Sequence, residues 1–301
     1  MTKPYTPPPI NPTLTFDLYN RAGRDDIATQ IKKDVDSYCQ QTLLDERRTH
    51  LGISEIGHSC ARYVWYKFRW MVQEKFDGRM ARLFQRGDIF EKIAIGILTG
   101  IGFEIESHTI DGEQIHVARS IGGHYGGSID SNTRLPIRYG SFSERLLVEF
   151  KTANANWYGR ISSQGFIKGK PHHWAQACSY GRKLDLHYIL YICEDKNDDD
   201  WDIELEELDW EFAEEQERKA EFIILSNVPP RRLSENPSYY ECRFCPAQTI
   251  CHFSAAPDKN CRSCQYAQPV DGEQWFCNHY QQNIPADFIA KGCEQWISLP
   301  S

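Results

Sequence analysis

The stretch HYGGSIDSNTRLPIRYGSFSERLLVEFK, residues 124–151, decides the fold class of this 301-residue chain. Its opening HYGGSIDSN and its closing RLLVEFK both have strand character, and a polar loop with glycine and proline separates them. Asp130, at the end of Gly127-Ser128-Ile129-Asp130, therefore stands nineteen residues before Glu149 of Glu149-Phe150-Lys151. A turn between the strands would pair them and bring both carboxylates to one end of a sheet. The two-residue period of a strand points Glu149 and Lys151 the same way and Phe150 into the core. Two hard oxygen ligands a few ångströms apart suit Mg²⁺ or Mn²⁺. The carbonyl oxygen of Phe150 can serve as a further ligand, and Lys151 would stand beside the ion. Glu-x-Lys recurs at Glu194-Asp195-Lys196 and Glu217-Arg218-Lys219, but only Glu149 has a Gly-x-x-Asp strand before it.

Outward from this stretch the pattern alternates between helix and strand. Residues 16–45, about 60–71 and about 80–98 read as helices, the last ended by Gly100 and Gly102. FEIESHTI and EQIHVAR alternate as strands joined at the turn dipeptide Asp111-Gly112. Pro171 suits the first position of a helix running to about Lys183. HYILYICE after it is a nearly continuous apolar run, as expected of a doubly buried central strand. WDIELEEL alternates like a strand, residues 210–226 form an acidic helix, and NVPPRRLSENPS is a linker. This order predicts an α/β fold, a mixed central β-sheet flanked by helices, followed by a small cysteine-rich C-terminal module. Residues 1–14, rich in proline, are expected to be a disordered leader.

Two further groups surround the acid pair. Glu91, in Arg86-Gly87-Asp88-Ile89-Phe90-Glu91, lies on the helix before the sheet and could supply a third carboxylate. Gln176 and Tyr180, four apart on the helix after Lys151, share a face and could support the lysine or meet a phosphate. His172 and His173 are expected to be solvent-exposed residues at the start of that helix.

The net charge is −8, yet residues 194–221 hold fifteen acids and three bases, leaving 31 bases and 27 acids elsewhere. Between Arg62 and Arg86 seven bases meet only two acids, with Tyr63, Trp65, Tyr66, Phe68 and Trp70 interleaved. Arg62, Lys67, Arg69, Arg82 and Arg86 are therefore candidates for binding nucleic acid. No apolar run reaches the ~20 residues of a membrane-spanning helix, and the start of the chain is no signal sequence, so the expectation is no membrane and a cytoplasmic location.

Seven of the eleven cysteines follow residue 241. Spaced pairs in an intracellular chain mean metal more often than disulfide. Cys242-x-x-Cys245 and Cys251 give three thiolates, and a closed site needs a fourth ligand, for which His252 and Cys60 are candidates. Cys261-x-x-Cys264, Cys277 and Cys293 place four more thiolates within 33 residues, fitting a small zinc ribbon with His279 as a substitute ligand. A segment this short needs such a staple. Cys39, Cys178 and Cys193 read as core residues.

Helix Gly-x-x-x-Glu, strand Gly-x-x-Asp, strand Glu-x-Lys and helix Gln-x-x-x-Tyr, in this order, resemble the PD-(D/E)XK nucleases. The likeness is to the branch holding lambda-type exonucleases, RecB and AddB nuclease domains and the iron–sulfur nucleases of CRISPR adaptation, over roughly residues 55–255. It implies a restriction-endonuclease-like core over residues 15–255, with 256–301 as the zinc-ribbon-like tail. It further implies Asp130, Glu149 and the Phe150 carbonyl as Mg²⁺ or Mn²⁺ ligands, Lys151 as the catalytic lysine, and Gln176 and Tyr180 as its support. Glu91 falls where many RecB-like members have histidine, glutamate being the lambda-exonuclease-like choice. The resemblance selects Cys60 as fourth partner of Cys242, Cys245 and Cys251, holding a structural [4Fe–4S] cluster, with zinc as the alternative. The activity it implies is that of a DNA nuclease, an exonuclease by preference, acting in recombination, repair or viral replication in a bacterial or phage-infected cell. Its substrate would have a free end or a single strand, and an oligomer or a recombination partner protein would be compatible. The alternative is a non-catalytic, cysteine-rich nucleic-acid-binding protein.

Overall fold

The computed structural model describes residues 19–43, 47–140 and 142–300, so the expected leader over 1–14 lies outside the described residues. The chain divides into two compact units, one of residues up to 46 with 74–92, the other of residues 47–73 with 93–301.

The first unit holds α1 (Arg21–Gln41) and the opening turns of α4 (Gly78–Gly100), the long helix whose later turns belong to the second unit. Asn20 caps α1, its side chain accepting from Gly23 N at 2.8 Å. Within this unit a Cβ on Gly78 would stand 2.0 Å from the Asp36 carbonyl oxygen, so the residue there has to be glycine. Arg82 pairs with Asp36 at 2.7 Å, whereas Arg86 is exposed.

The second unit begins with β1 (Leu51–Gly52), α2 (Ile53–Ile56) and α3 (Ala61–Phe68). After α4 come β2 (Tyr125–Gly126), β3 (Ser131–Arg134) and β4 (Arg145–Ala153). Helices α5 (Ala155–Gln164), α6 (Phe166–Gly169) and α7 (Pro171–Leu184) then lead to β5 (Tyr188–Asp195), β6 (Trp201–Glu207) and α8 (Trp210–Leu225). The main sheet has the order β3-β4-β5-β6, with β4 and β5 parallel and both outer pairs antiparallel. It is the expected mixed sheet. The parallel pair needs a long crossover, which α5–α7 supply. Pro171 opens α7, where its missing N–H costs nothing, and β5 is buried along most of its length.

Two expectations fail here. FEIESHTI and EQIHVAR form only isolated bridges, Glu106 to Asn132, His108 to Gln114 and His116 to Ser128, although the Asp111-Gly112 turn does close, Gly112 N donating to Thr109 O at 2.9 Å. Of these seventeen residues only Phe103 and Val117 are buried, so no apolar face pins a regular ladder. The basic aromatic stretch also differs, because α3 is a core helix. Tyr63, Trp65, Tyr66 and Phe68 are buried, and so are Arg62 and Arg69. Arg62 donates to Tyr66 Oη and Pro230 O, and Arg69 to the carbonyls of Ser226 and Ala267. Lys67 is paired with Glu55. Arg62 and Arg69 cannot reach a phosphate without leaving the core, and their candidacy as nucleic-acid contacts is withdrawn.

The C-terminal segment carries α9 (Tyr240–Arg243), α10 (Gln248–Phe253), a three-stranded sheet of β7 (Ala267–Val270), β8 (Gln274–Cys277) and β9 (Gln282–Asn283), and α11 (Ala286–Ile289). It has no separate core. Cys264, Ala267, Trp275 and Leu299 belong to the buried cluster that includes Leu51, Trp65 and Tyr191. Arg262, 1% exposed, lies 4.5 Å from the Phe68 and Trp70 rings and 4.7 Å from the Trp275 ring. The β7–β8 turn rests on residues 119–124. Glu273 N donates to Gly122 O at 2.8 Å, Arg119 pairs with Glu273, and His124 Nε2 donates to the carbonyls of Val270 at 3.0 Å and Gln274 at 3.2 Å.

Candidate active site

Glu149 lies within β4, whereas the expected HYGGSIDSN strand is broken into β2 and β3 and Asp130 stands in the bend one residue before β3, where the register ends at Ser131 opposite Val148. Asp130 Oδ2 accepts from Phe150 N at 3.0 Å, and the Phe150 ring is buried, as the two-residue period requires. Glu149 is 1% exposed. Its Oε1 accepts from Gln176 Nε2 at 2.5 Å and from Lys151 Nζ. Its Oε2 has no hydrogen-bond partner among the described residues. Burial first, and the Asp130 carboxylate second, push the Glu149 carboxyl up to about 7, against the opposing pull of Lys151 and Gln176.

An ionised carboxylate with a buried, unpartnered oxygen is costly. A divalent cation beside Asp130 would remove that cost, and the donor set is the hard oxygen kind that Mg²⁺ and Mn²⁺ take, often with only one or two carboxylates. The residues fit the ion. No group of three or more His, Cys, Asp or Glu among the described residues is arranged to hold a metal, so this pair would rely on water or substrate for its other ligands.

The charge on Glu149 has a consequence for stability. Its carboxyl holds a proton more tightly in the folded chain than its ordinary value of 4.5 would allow, so folding stability falls as pH rises from about 4.5 through about 7. Below that window the group is neutral in both states. Above it the penalty is complete. Glu149→Gln is therefore expected to stabilise the metal-free protein at pH 8, by about 1–3 kcal/mol or several degrees in Tm, and to leave it unchanged near pH 4.5. Adding Mg²⁺ should raise the Tm of the parent but not of the variant. Equal melting curves for the two at pH 8, with equal responses to Mg²⁺, would contradict this account.

Helix α7 supports the pair. Gln176 and Tyr180 are both buried on the side facing β4. A Cβ on Gly127 would stand 2.5 Å from Tyr180 Oη, so glycine is what lets the tyrosine close under the chain that leads to Asp130. His173 is not the exposed residue that its place at a helix start predicts. Its Nδ1 lies 2.8 Å from Tyr191 Oη, and burial followed by Lys151 drives its pKa well below the usual histidine range. His172 is held down to about 4, by burial and then by Lys170 and Lys151. The signal is present in the sequence, since His173, Gln176 and Tyr180 are spaced i, i+3 and i+7 along one helical face. Glu91 is half-buried on α4, in the first unit, whereas Asp130, Glu149 and Lys151 are in the second.

The competing Glu-x-Lys segments are otherwise engaged. Glu217 accepts from Ser120, Arg182 and Lys183, and Glu194 lies within β5, opposite Trp201 of β6.

No protein-family model matches the chain, and no curated protein does. Among solved structures it is similar to SSO0001, at 17% identity and a TM-score of 0.44, over 76% of this chain and all of that one. It is also similar to the alkaline exonuclease LHK-Exo of Laribacter hongkongensis. That structure aligns at 16% identity and a TM-score of 0.38, and its complex with dAMP at 15% and 0.40, each over 59% of this chain and 87% of the exonuclease. Likenesses this shallow assign no residue, and the chemistry of the site stands on its own geometry.

Both cysteine quartets are brought together. Cys60, at the start of α3, lines a cavity of about 20 Å³ with Cys242, Cys245 and Cys251, and His252 lies on the same wall. Cys261, Cys264, Cys277 and Cys293 line a second cavity of about 290 Å³, beside His279 and Trp296. Burial first, then the neighbouring thiols, push Cys245 and Cys261 each up to about 11. Cys39, Cys178 and Cys193 are buried, in keeping with core roles.

Proposed function

We propose that this chain is a divalent-metal-dependent DNA nuclease. The observation that carries the reading is the buried Glu149, with one oxygen unpartnered, paired with Lys151 and preceding the Phe150 N–H that bonds Asp130. Asp130 and Glu149 would hold Mg²⁺ or Mn²⁺, with the Phe150 carbonyl beside them. Such an ion supplies Lewis acidity toward a phosphodiester and a water of lowered pKa. Lys151 offsets the charge on Glu149, and its side chain, about a quarter exposed, can present the ammonium to a phosphate oxygen as charge develops there. Gln176 holds the Glu149 carboxylate, and Tyr180 packs close to Gly127, three residues before Asp130. An exonuclease in recombination, repair or viral replication is the context supported by the resemblance. Among the described residues no helix is long and apolar enough to cross a membrane.

The Cys60 quartet would hold a structural [4Fe–4S] cluster or zinc, and the Cys261 quartet zinc. The lining of one cavity by all four cysteines of each quartet supports both sites. As the side chains stand neither set is closed to ligand distance.

The test is a titration of Mg²⁺ and Mn²⁺ against end-labelled DNA. Cutting that appears with the metal and stops with EDTA is expected. Binding without cutting throughout the titration would leave a nucleic-acid-binding protein and remove the enzyme.

A further inference from the structure

The connection from β4 to α7 carries an exposed Arg160 and a half-buried Lys170. Asn154 follows β4 and caps α5, its side chain accepting from Trp157 N at 3.0 Å. Trp157 is thereby set on the first turn of α5, six residues after Lys151, and remains 38% exposed. Lys170 Nζ lies 3.7 Å from the centre of its ring and the Arg160 guanidinium carbon 4.8 Å. Among the described residues neither Arg160 nor Lys170 forms an ion pair with a carboxylate. Two cations thus crowd one aromatic ring with no acid to balance them. Lys170 is pushed down by burial and by Arg160, as unbalanced positive charge requires. Lys170 stands at the N-cap of α7, the helix whose His173 meets Tyr191 Oη at 2.8 Å, opposite Glu149 across β4 and β5, and whose Gln176 bonds Glu149 itself.

A surface like this is complete only with an anion and a flat partner. Both belong to an unpaired nucleotide, whose phosphate can bridge Arg160 and Lys170 while its base stacks against the exposed indole. In a duplex the base faces are already stacked and unavailable. The geometry points to Trp157, Arg160 and Lys170 as a subsite that holds single-stranded DNA next to the acid pair. The inference rests on the nuclease reading for its purpose, but not for its test.

Binding of fluorescently labelled oligo-dT, and of a duplex labelled in the same way, is measured by anisotropy in EDTA, where no cutting occurs. Trp157→Ala is expected to weaken oligo-dT binding by about 5- to 100-fold, the loss of one stacked base, and to leave duplex binding within about twofold. Trp157→Phe should keep most of the affinity, which separates stacking from misfolding. Arg160→Ala with Lys170→Ala should lower the salt slope of oligo-dT binding by about 1.4, the value for two lost single-strand phosphate contacts. Unchanged oligo-dT affinity in Trp157→Ala would overturn the subsite even if the protein cuts DNA. So would an equal loss on duplex. A protein that fails to cut any DNA but loses oligo-dT affinity on Trp157→Ala would retain the subsite and lose the nuclease.

Discussion

Asp130→Asn is expected to lower Mg²⁺-dependent DNA cutting by about a thousandfold or more, with DNA affinity in EDTA within about twofold of the parent. The size follows from the several kcal/mol that a bound ion contributes to charge stabilisation, each 1.4 kcal/mol being tenfold in rate. Asparagine is the clean replacement because Asp130 has two tasks. Its Oδ2 accepts from Phe150 N, and alanine would leave that N–H unpaired at a cost of about 1–3 kcal/mol to the fold. The amide oxygen of asparagine can still accept while the charge is gone. Lys151→Ala should lower cutting by about 10²–10³, the usual effect of removing one well-placed donor. It should also raise the Glu149 carboxyl further, since Lys151 opposes the effect of burial there. Cutting at the parental rate in both variants would mean that the chemistry lies elsewhere.

The acid pair could be read from the chain because strand physics is local. A two-residue period fixes which side chains share a face, and an antiparallel pair joined through a loop fixes which residues meet. Asp130 and Glu149 need only those two rules, and β4, β5, α7 and α8 all fall close to where alternation, apolar runs and Pro171 put them. What escaped is long-range. Nothing near Arg69 in sequence shows that its guanidinium is satisfied by the carbonyls of Ser226 and Ala267. An arginine among aromatics looks the same whether the rings face DNA or the core. The residues from Phe103 to Arg119 failed for the opposite reason, since their alternation was genuine but no neighbouring strand buries it. The unpartnered oxygen of Glu149 is likewise invisible until Gln176 and Lys151 are seen to share the other one.

The same distinction bears on the cysteine-rich segment, where spacing foretells a metal staple but not what the staple holds. Replacing Cys261 and Cys264 by serine is expected to remove one metal site, to cost the fold about 3–5 kcal/mol and to depress DNA cutting. The energy is that of unseating a buried tryptophan. Trp275 is 1% exposed, and Arg262, between the two cysteines, lies against its ring. Depressed cutting stems from the β7–β8 turn, whose contacts with Gly122 and His124 stand only a few residues before Asp130. An autonomous tail would behave differently, leaving the rate and melting of residues 47–255 at parental values when its cysteines are lost. Counting iron and zinc in this variant, and in its counterpart with Cys242 and Cys245 replaced, tests the site proposed at each quartet. The resemblance implies iron at the Cys60 quartet, with zinc as the alternative, and spacing suits zinc at the later four. A double variant with parental metal content, melting and cutting would show that Cys261 and Cys264 bind nothing and that the turn does not position Asp130.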